Sequence, residues 1–354
     1  MKRFRRIQIS ILILVLCFLL HKLPLSRQIL HILRLKTYDL VLDFSNAFQE
    51  NDDKPKIDDI VIIDIDEYSI ATLGQYSTWP NLYFADLIDS LSKDSPAAIG
   101  FDIFFPEADS INSFGRQRLT THLKSKGYEA GKLFEHYTSD AELAAAIRRA
   151  GNVYLAMFDT KEEVGNDNIT DALKGWEITS IKAVPVENPK APIPILGEAA
   201  RGVGFAQIDT DISGLIHDYP FFFKWEDQVF VNYSFQVVLD LLQIDEIKNE
   251  GALNLYSEGK LIRKLPLYDE DSIFISYYGK PRRFRYIPFS HVLMGLVSEG
   301  FFKDKIVLIG SSTVGLRDIK PSPLGRDFPG VELHATVMQN ILREDFIHWT
   351  PDWL

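Results

Sequence analysis

Short, fully apolar runs alternate along the chain with segments whose apolar residues recur at helical spacing. Strands that are apolar at every position are buried on both faces, and strands that alternate with helices usually form a parallel sheet. The pattern therefore predicts an α/β fold, a mostly parallel sheet with helices on both faces. The predicted strands are residues 60–65, 97–105, 152–158, 272–278 and 305–310, and the predicted helices are residues 82–92, 139–150, 233–242 and 331–342.

The N-terminus carries a different pattern, a basic tip followed by an apolar stretch. Residues 7–25 are almost wholly apolar, and their length is close to the ~20 residues that span a bilayer as a helix. We interpret the stretch as an uncleaved transmembrane anchor. A cleaved signal peptide is the alternative, but no small-residue cleavage site follows Leu20. The basic tip favours a cytoplasmic N-terminus, which places the rest of the chain outside the cytoplasm.

These patterns divide the chain into four parts. Residues 1–25 are the basic tip and the transmembrane anchor, and residues 26–50 predict a helix that leads out of the membrane. Residues 55–345 form the predicted extracytoplasmic domain. Residues 346–354 are rich in aromatic side chains, which are common at membrane interfaces. We expect them to approach a further membrane span that is not part of this sequence.

The charge distribution argues against a nucleic-acid partner. The chain of 354 residues has a net charge of −11, although its first 22 residues hold five basic residues and no acid. The remainder is therefore more acidic than the total suggests, whereas nucleic acids bind basic surfaces. The single cysteine, Cys17, lies in the apolar stretch. The predicted domain therefore depends on core burial and not on disulfides.

Polar side chains follow several predicted strands at the point where each strand ends. The carboxyl ends of parallel strands form the crevice where ligands bind in open sheets, so these side chains are candidates for one ligand-binding rim. A structural role is the alternative, because Asp and Ser after strands also form turns and cap helices. The candidates are Asp64, Asp66, Asp102 and Ser311 at strand ends, with Trp79 and Asp318 in the loops that follow.

An enzyme alternative rests on two of these aspartates. A strand that ends in Asp64-Ile-Asp66 resembles the first motif of haloacid-dehalogenase-type phosphatases, which implies a nucleophile followed by an acid/base. Ser311 after a later strand resembles the second motif of that family. Glu67 stands where the family usually has Thr or Val, however, and no matching Lys and acidic pair follows. The resemblance covers only a few residues.

A longer resemblance covers residues 35–345. Its order and spacing are similar to the second family of CHASE domains, the cyclase/histidine-kinase-associated sensory extracellular domains of bacterial receptors. The stretches that carry it are Tyr38-Asp39, IVIIDIDEYSIATLG with WP at 79–80, PAAIGFDIFFPEAD at 96–109, AELAAAIRRAGNVYLA at 141–156, GVGFAQIDTDISG at 202–214, KIVLIGSSTVGLRD at 305–318 and PGVELHA at 329–335.

The resemblance implies the sensory input module of a bacterial receptor in the inner membrane. Such a module receives a small ligand or an ion and passes a conformational change to a cytoplasmic cyclase, diguanylate cyclase or kinase, which is not in this chain. The resemblance implies no catalysis, no cofactor and no metal centre in the module itself. Its expected partners are the membrane, the ligand, the output domain and a second copy of the chain in a homodimer.

One turn departs from the pattern of the CHASE family. The family's Asp-x-Asp-Gly turn is stretched here to Asp209-Thr-Asp211-Ile-Ser-Gly214, with His217 downstream. Asp211 is therefore a further candidate for ligand contact, and His217 is a candidate for pH sensitivity. We predict a sensory domain that is not an enzyme. The alternatives are a phosphatase that uses Asp64 and Asp66 and a structural module of the cell envelope.

Overall fold

The computed structural model describes residues 31–42, 56–109, 121, 124–127, 139–160, 175–176, 178, 181–268, 272–313 and 318–347. The predicted transmembrane anchor, residues 7–25, lies outside these ranges, and so do residues 348–354 of the predicted membrane approach. Among the helices that are described, none is both long enough and apolar enough to cross a bilayer.

The helices and strands follow the predicted order. The helices are residues 31–42 (α1), Glu67–Leu73 (α2), Asn81–Ser92 (α3), Ser139–Ala150 (α4), Pro194–Gly197 (α5), Tyr233–Leu241 (α6), Phe289–Leu293 (α7) and Gly330–Arg343 (α8). The strands are Ile57–Asp64 (β1), Ala98–Phe101 (β2), Val153–Asp159 (β3), Val184–Pro185 (β4), Pro189–Lys190 (β5), Gly202–Phe205 (β6), Asp218–Pro220 (β7), Phe222–Trp225 (β8), Gln228–Val231 (β9), Glu246–Asn249 (β10), Leu253–Ser257 (β11), Lys260–Leu265 (β12), Ser272–Phe274 (β13), Phe284–Pro288 (β14), Ile306–Gly310 (β15), Ile319–Ser322 (β16) and Gly325–Pro329 (β17).

A mostly parallel sheet organises the domain, which confirms the predicted α/β class. Its strands lie in the order β14-β1-β15-β2-β3-β6, and each neighbouring pair is parallel. The short strand β5 adds an antiparallel pair to β3. Smaller antiparallel pairings surround the sheet, among them the hairpin of β16 and β17. The sheet thus brings the carboxyl ends of β1, β15 and β2 side by side.

Two hydrophobic cores lie on opposite faces of the sheet, as the fully apolar strands predict. Successive side chains of a strand point to opposite faces. Along β1, Ile60 and Ile62 pack with the residues of α6 and α8, whereas Val61 and Ile63 pack with those of α3, α4 and α7. The helices therefore cover both faces.

The helix α1 packs on the domain through one side. Leu35 and Tyr38 are buried in the core that contains α6 and α8. The Tyr38 hydroxyl donates a hydrogen bond to the Ile275 carbonyl at 2.6 Å. The opposite side of α1 carries exposed apolar residues, of which Leu33 and Leu40 are each 56% exposed. The predicted helix of residues 26–50 is therefore present over its described part and is docked on the domain.

Two predicted strands are shorter than the sequence pattern suggests. The strand predicted over residues 97–105 ends at Phe101, since the chain turns away after Asp102, whose amide still donates to the Ile309 carbonyl at 2.8 Å. The strand predicted over residues 272–278 ends at Phe274. Ile103, Phe105 and Ile275, which lie beyond these strands, remain buried in the cores, whereas Phe104 is 41% exposed. An apolar run in the sequence indicates which residues are buried, but it does not show where the strand pairing ends.

Candidate functional site

A cavity of about 640 Å³ opens at the carboxyl ends of the central strands. Its size falls within the ~300–1,000 Å³ that is usual for small-molecule sites. Apolar and aromatic side chains form much of its wall, and charged side chains are set among them. The polar side chains that line it are Asp102, Asp159, Gln207, Asp209, Ser311, Asp318, Lys320 and His334, and the large apolar ones are Ile65, Tyr76, Ile103, Phe104 and Phe158.

Asp102 is a buried carboxyl group in the wall of this cavity. It follows β2, the strand beside β15, so the sheet places it at the centre of the carboxyl edge. Among the described residues, no N–H or O–H group donates a hydrogen bond to its Oδ2 atom. Burial raises the pKa of Asp102 well above its ordinary value, and the charge of Asp318 raises it further. Asp102 therefore holds its proton more tightly than an exposed aspartate does.

Asp318 pairs with Asp102 through that proton. Burial raises the pKa of Asp318 to about 6, although Lys320 and the hydrogen bond from Asp102 act to lower it. A carboxylate receives no hydrogen bond from another carboxylate, so the two acids are held together only while they share a proton. The two acids thus favour the state with one shared proton and one negative charge over the state in which both are ionised.

Two glycines allow this arrangement. Gly330 is the first residue of α8, and its amide donates to the Asp318 carbonyl at 2.9 Å. A Cβ atom at position 330 would overlap the Asp318 carboxylate. Gly310 ends β15, where a Cβ atom would lie 2.7 Å from Cβ of Val331. The start of α8 therefore approaches both the sheet and Asp318 only because these positions lack side chains.

His334 brings a neutral imidazole to the cavity from α8. Burial lowers the pKa of His334 to about 3, and the nearby charge of Lys320 contributes to the lowering. Its Nδ1 atom pairs with the Tyr219 hydroxyl, and its Nε2 atom lies 3.7 Å from Oδ1 of Asp102. That separation is too long for a hydrogen bond, and a neutral ring forms no ion pair. His334 thus shapes the wall without neutralising Asp102.

Lys320 supplies a positive charge from β16. It acts electrostatically on Asp102, Asp318 and His334. Within the described part of the chain, its ammonium group forms no ion pair shorter than 4.0 Å with either aspartate. The cavity therefore combines a carboxyl pair with a separate lysine. Among the described residues, no three His, Cys, Asp or Glu side chains are grouped as ligands for a metal ion.

Three predicted candidates, Asp102, Ser311 and Asp318, do line the cavity. The Ser311 hydroxyl is already engaged, because it donates to the Ile65 carbonyl at 3.0 Å and accepts from the Thr313 amide at 3.0 Å. Ser311 therefore stabilises the backbone after β15, and it also forms part of the cavity wall. The two aspartates carry the free hydrogen-bonding capacity of the group.

Asp64 and Asp66 have other partners. Asp64 is buried and accepts hydrogen bonds from the amide of Ser312 at 2.8 Å and from its hydroxyl at 2.6 Å. Burial raises the pKa of Asp64, and these hydrogen bonds oppose the effect. Asp66 caps the N-terminus of α2 by accepting from the Ser69 amide at 2.8 Å. Neither residue lines the cavity, and Asp66 has the capping role that the structural alternative describes.

Trp79 and Asp211 also lie away from the cavity wall. Trp79 is buried against Phe289, with ring centroids 4.9 Å apart, and its indole donates to the Gly74 carbonyl at 2.8 Å. Asp211 accepts from the Ser213 amide at 2.7 Å and contacts Nδ1 of His217 at 2.6 Å. Trp79 is thus part of a core, and Asp211 belongs to a separate cluster beside α1.

Among the lining residues that the sequence did not single out are the cavity's two basic side chains, Lys320 and His334. His334 lies on α8 two residues after Glu332. Glu332 does point elsewhere, because it accepts from the amides of Arg282 and Arg283 at 2.7 Å each. The helical spacing was a usable signal, since two residues apart on a helix His334 cannot share the contacts of Glu332. Lys320 gave no sequence signal beyond its position two residues after Asp318.

The geometry defines an α/β domain with a small-molecule cavity at the carboxyl edge of its sheet. The chain belongs to the CHASE2 domain family, whose family model matches residues 11–354. CHASE2 domains are extracellular sensory domains of signalling receptors, and they typically feed into cytoplasmic output domains. No curated protein and no solved structure matches the chain.

Proposed function

We propose that this chain is the extracytoplasmic input domain of a bacterial transmembrane receptor and that its stimulus is a small molecule bound in the cavity. The observation that carries this proposal is the buried carboxyl of Asp102, which lines a cavity of about 640 Å³ and has an oxygen that no described donor satisfies. A buried polar atom without a partner is costly. A bound ligand would supply the missing partner and would be favoured for that reason.

A short series of contacts supports transmission from the cavity to α1. The strand β16 carries Lys320, and the carbonyl of Pro321 in the same strand accepts from the Ile216 amide at 2.9 Å. The next residue, His217, contacts Oδ1 of Asp39 in α1 through Nε2 at 2.8 Å. A ligand that moves β16 would therefore bias the docking of α1, provided that it binds the two arrangements with different affinity.

The second connection runs through α8. Its first turns carry Gly330 and His334 at the cavity, and its last residue is Arg343. The helix α8 thus contacts the cavity directly, and α1 is connected with it through β16. In this proposal they lead to membrane attachments, and the domain drives a cytoplasmic cyclase, diguanylate cyclase or kinase. The homodimer stays a prediction, supported by exposed Leu33 and Leu40, which lie seven positions apart on α1.

A thermal-shift screen of the full chain in detergent against small metabolites and metal ions tests the proposal. A ligand at a hundred times its Kd should add about 2.7 kcal/mol to the free energy of unfolding. Asp102→Asn should abolish the shift. Asp227→Asn, the same change at the exposed tip of the β8–β9 hairpin, should preserve it. A ligand that stabilises both variants equally would place the binding site elsewhere.

We also propose that the domain is not catalytic. Both carboxylate oxygens of Asp64 are engaged by Ser312, and Asp66 is a helix cap. A phosphatase nucleophile has to face its substrate, and these contacts hold Asp64 against the backbone instead. The same preparations should show no Mg²⁺-dependent hydrolysis of p-nitrophenyl phosphate. Hydrolysis that Asp64→Asn abolishes would support the phosphatase alternative and contradict this part of the proposal.

A further inference from the structure

The charges around the cavity set conditions on what can bind there. Asp102 and Asp318 form its buried acidic part, and Lys320 and His334 are the basic groups that face them. His334 is neutral, and Lys320 makes no close ion pair with either acid. The acids therefore lack a cation in direct contact among the described residues, although the charge of Lys320 acts on both. A shared proton takes the place of that contact.

The position of the unpartnered oxygen shows where a ligand donor would act. Oδ2 of Asp102 is buried and receives no hydrogen bond from the described N–H and O–H groups. The nearby hydroxyls do not satisfy it: Tyr219 pairs with His334, and the buried hydroxyl of Tyr233 makes no hydrogen bond with any described group. A ligand group that donates hydrogen bonds and carries positive charge would satisfy Oδ2 and replace the shared proton.

The remaining walls indicate that this cation is organic. Ile65, Ile103 and Tyr76 line the cavity together with Phe104 and Phe158, whose ring centroids are 4.0 Å apart. Burying apolar surface there favours a ligand with a hydrocarbon or aromatic body. Hard metal ions prefer six or more oxygen ligands, which a carboxyl pair beside an ammonium group does not offer.

We infer that the cavity recognises a small primary amine, whose ammonium group binds between Asp102 and Asp318 and whose apolar body lies against the aromatic wall. This inference rests on the proposed function and specifies its ligand class. Lys320 repels the cation and so limits the affinity. The rim residues Asp159 and Asp209 lie farther out, and Asp159 already accepts from the Asn188 amide at 2.7 Å.

Isothermal titration of the full chain with three compounds of similar shape tests the inference. The compounds are phenethylamine, the neutral 2-phenylethanol and the anionic 3-phenylpropionate, with butylamine and Ca²⁺ as further probes. Phenethylamine should bind most tightly and should release protons, which titration in two buffers of different ionisation enthalpy detects. Because ammonium and protons compete for the same carboxylates, affinity should weaken by up to about tenfold per pH unit as the pH falls through neutrality, and more steeply once Asp318 also takes up a proton below about 6.

Two substitutions, one that removes a negative charge and one that removes a positive charge, complete the test. Asp102→Asn should abolish amine binding and proton release, and Asp227→Asn should leave both unchanged. Lys320→Met should increase the affinity for phenethylamine about three- to tenfold, because it removes a like charge. Lys280→Met, an exposed lysine outside the cavity, should have no effect. If Asp102→Asn does not fold, the comparison of Lys320→Met with Lys280→Met still shows whether the cavity favours a positively charged ligand.

Several results would overturn the inference. These are equal binding of 2-phenylethanol, tighter binding of 3-phenylpropionate or Ca²⁺, the absence of binding by either amine, and amine binding that survives Asp102→Asn. The proposed function fails differently. If a neutral or anionic compound stabilises the wild type and Ala206→Trp, which fills the cavity, abolishes the effect, the sensory site stands and only its preference for cations is lost.

Discussion

At the scale of single residues, the acidic pair is possible because residue 330 is a glycine and has no side chain. Asp318 lies against the start of α8, where a side chain would overlap its carboxylate. Its burial there raises its pKa, and Asp102 lies close enough to share a proton. Gly330 therefore determines how closely the carboxyl of Asp318 packs against α8 and how the pair titrates.

Gly330→Ala should lower the free energy of unfolding by about 1–3 kcal/mol, because the added Cβ atom forces Asp318 or the start of α8 to move. Ligand-induced stabilisation should fall at the same time. Urea unfolding of the full chain with and without ligand measures both effects. Gly197→Ala is the matched control, because the added Cβ atom would lie 4.0 Å from its nearest contact, the Pro192 carbonyl oxygen. Similar unfolding curves for the two variants would contradict the close approach.

At the scale of elements, α1 is held by a histidine between two carboxylates. His217 is fully buried, with Asp211 at 2.6 Å from Nδ1 and Asp39 of α1 at 2.8 Å from Nε2. Burial alone would lower the pKa of His217, but the hydrogen bonds that its ring donates to Asp211 and Asp39 outweigh burial and raise it. The other charged groups nearby are Lys36, which pairs with Asp39, and Asp218.

The docking of α1 should therefore weaken at alkaline pH. A histidine with a raised folded-state pKa contributes stability that is complete below its ordinary pKa of about 6.5 and is lost as the pH rises through the folded value. The pKa of Asp211 is lowered by its contacts with His217 and Ser213 despite burial. Its contribution is present above about 4 and is lost as the pH falls further. Protection of α1 should thus be greatest between about pH 4 and pH 6.5.

Hydrogen exchange of α1 across this pH range, corrected for intrinsic exchange rates, measures the effect. Wild-type protection should fall several-fold on the alkaline side, and His217→Gln should remove the pH dependence. His291→Gln changes a histidine of α7 that lies far from α1 in the sequence and packs on Tyr68, so it should leave the profile unchanged. A flat wild-type profile would mean that His217 keeps the same charge throughout.

The sequence predicted the central elements well because their signals are local. The runs that became β1, β3 and β15 are apolar at nearly every position, and α3 and α4 have helical spacing with clear starts. The cavity was less accessible to prediction. His334 and Lys320 reach it from α8 and the β16–β17 hairpin, more than 200 residues after Asp102. Asp66 gives the same sequence signal as Asp64, and only the position of Ser69 shows that it is a cap.

At the scale of the whole molecule, the proposed function requires the domain to lie outside the cytoplasm. CHASE2 domains are extracytoplasmic, and the basic tip of residues 2–6 predicts the same orientation for this chain. The described residues supply the docked helix α1, which follows the predicted anchor in sequence. The orientation of the anchor itself stays a prediction.

Reporter fusions after Leu354 test that orientation. Alkaline phosphatase, which folds only outside the cytoplasm, should be active on the full chain, and green fluorescent protein exported in the same way should be dark. Removal of residues 1–25 should reverse both results, because the remaining domain has lost its predicted anchor. Fluorescence of the full-length fusion would place the domain in the cytoplasm and contradict the receptor proposal.

Prolines in the outer strands of the sheet affect how copies of the domain behave when they are crowded together. Exposed strand edges invite other chains to add strands, which leads to aggregation. Proline lacks the amide hydrogen that such pairing needs, and Pro288 ends β14 at one margin while Pro189 begins β5 near the other. Neighbouring copies are thus discouraged from joining edge to edge into continuous sheets. Many copies of the domain can therefore be concentrated together, and any association between them has to use other surfaces.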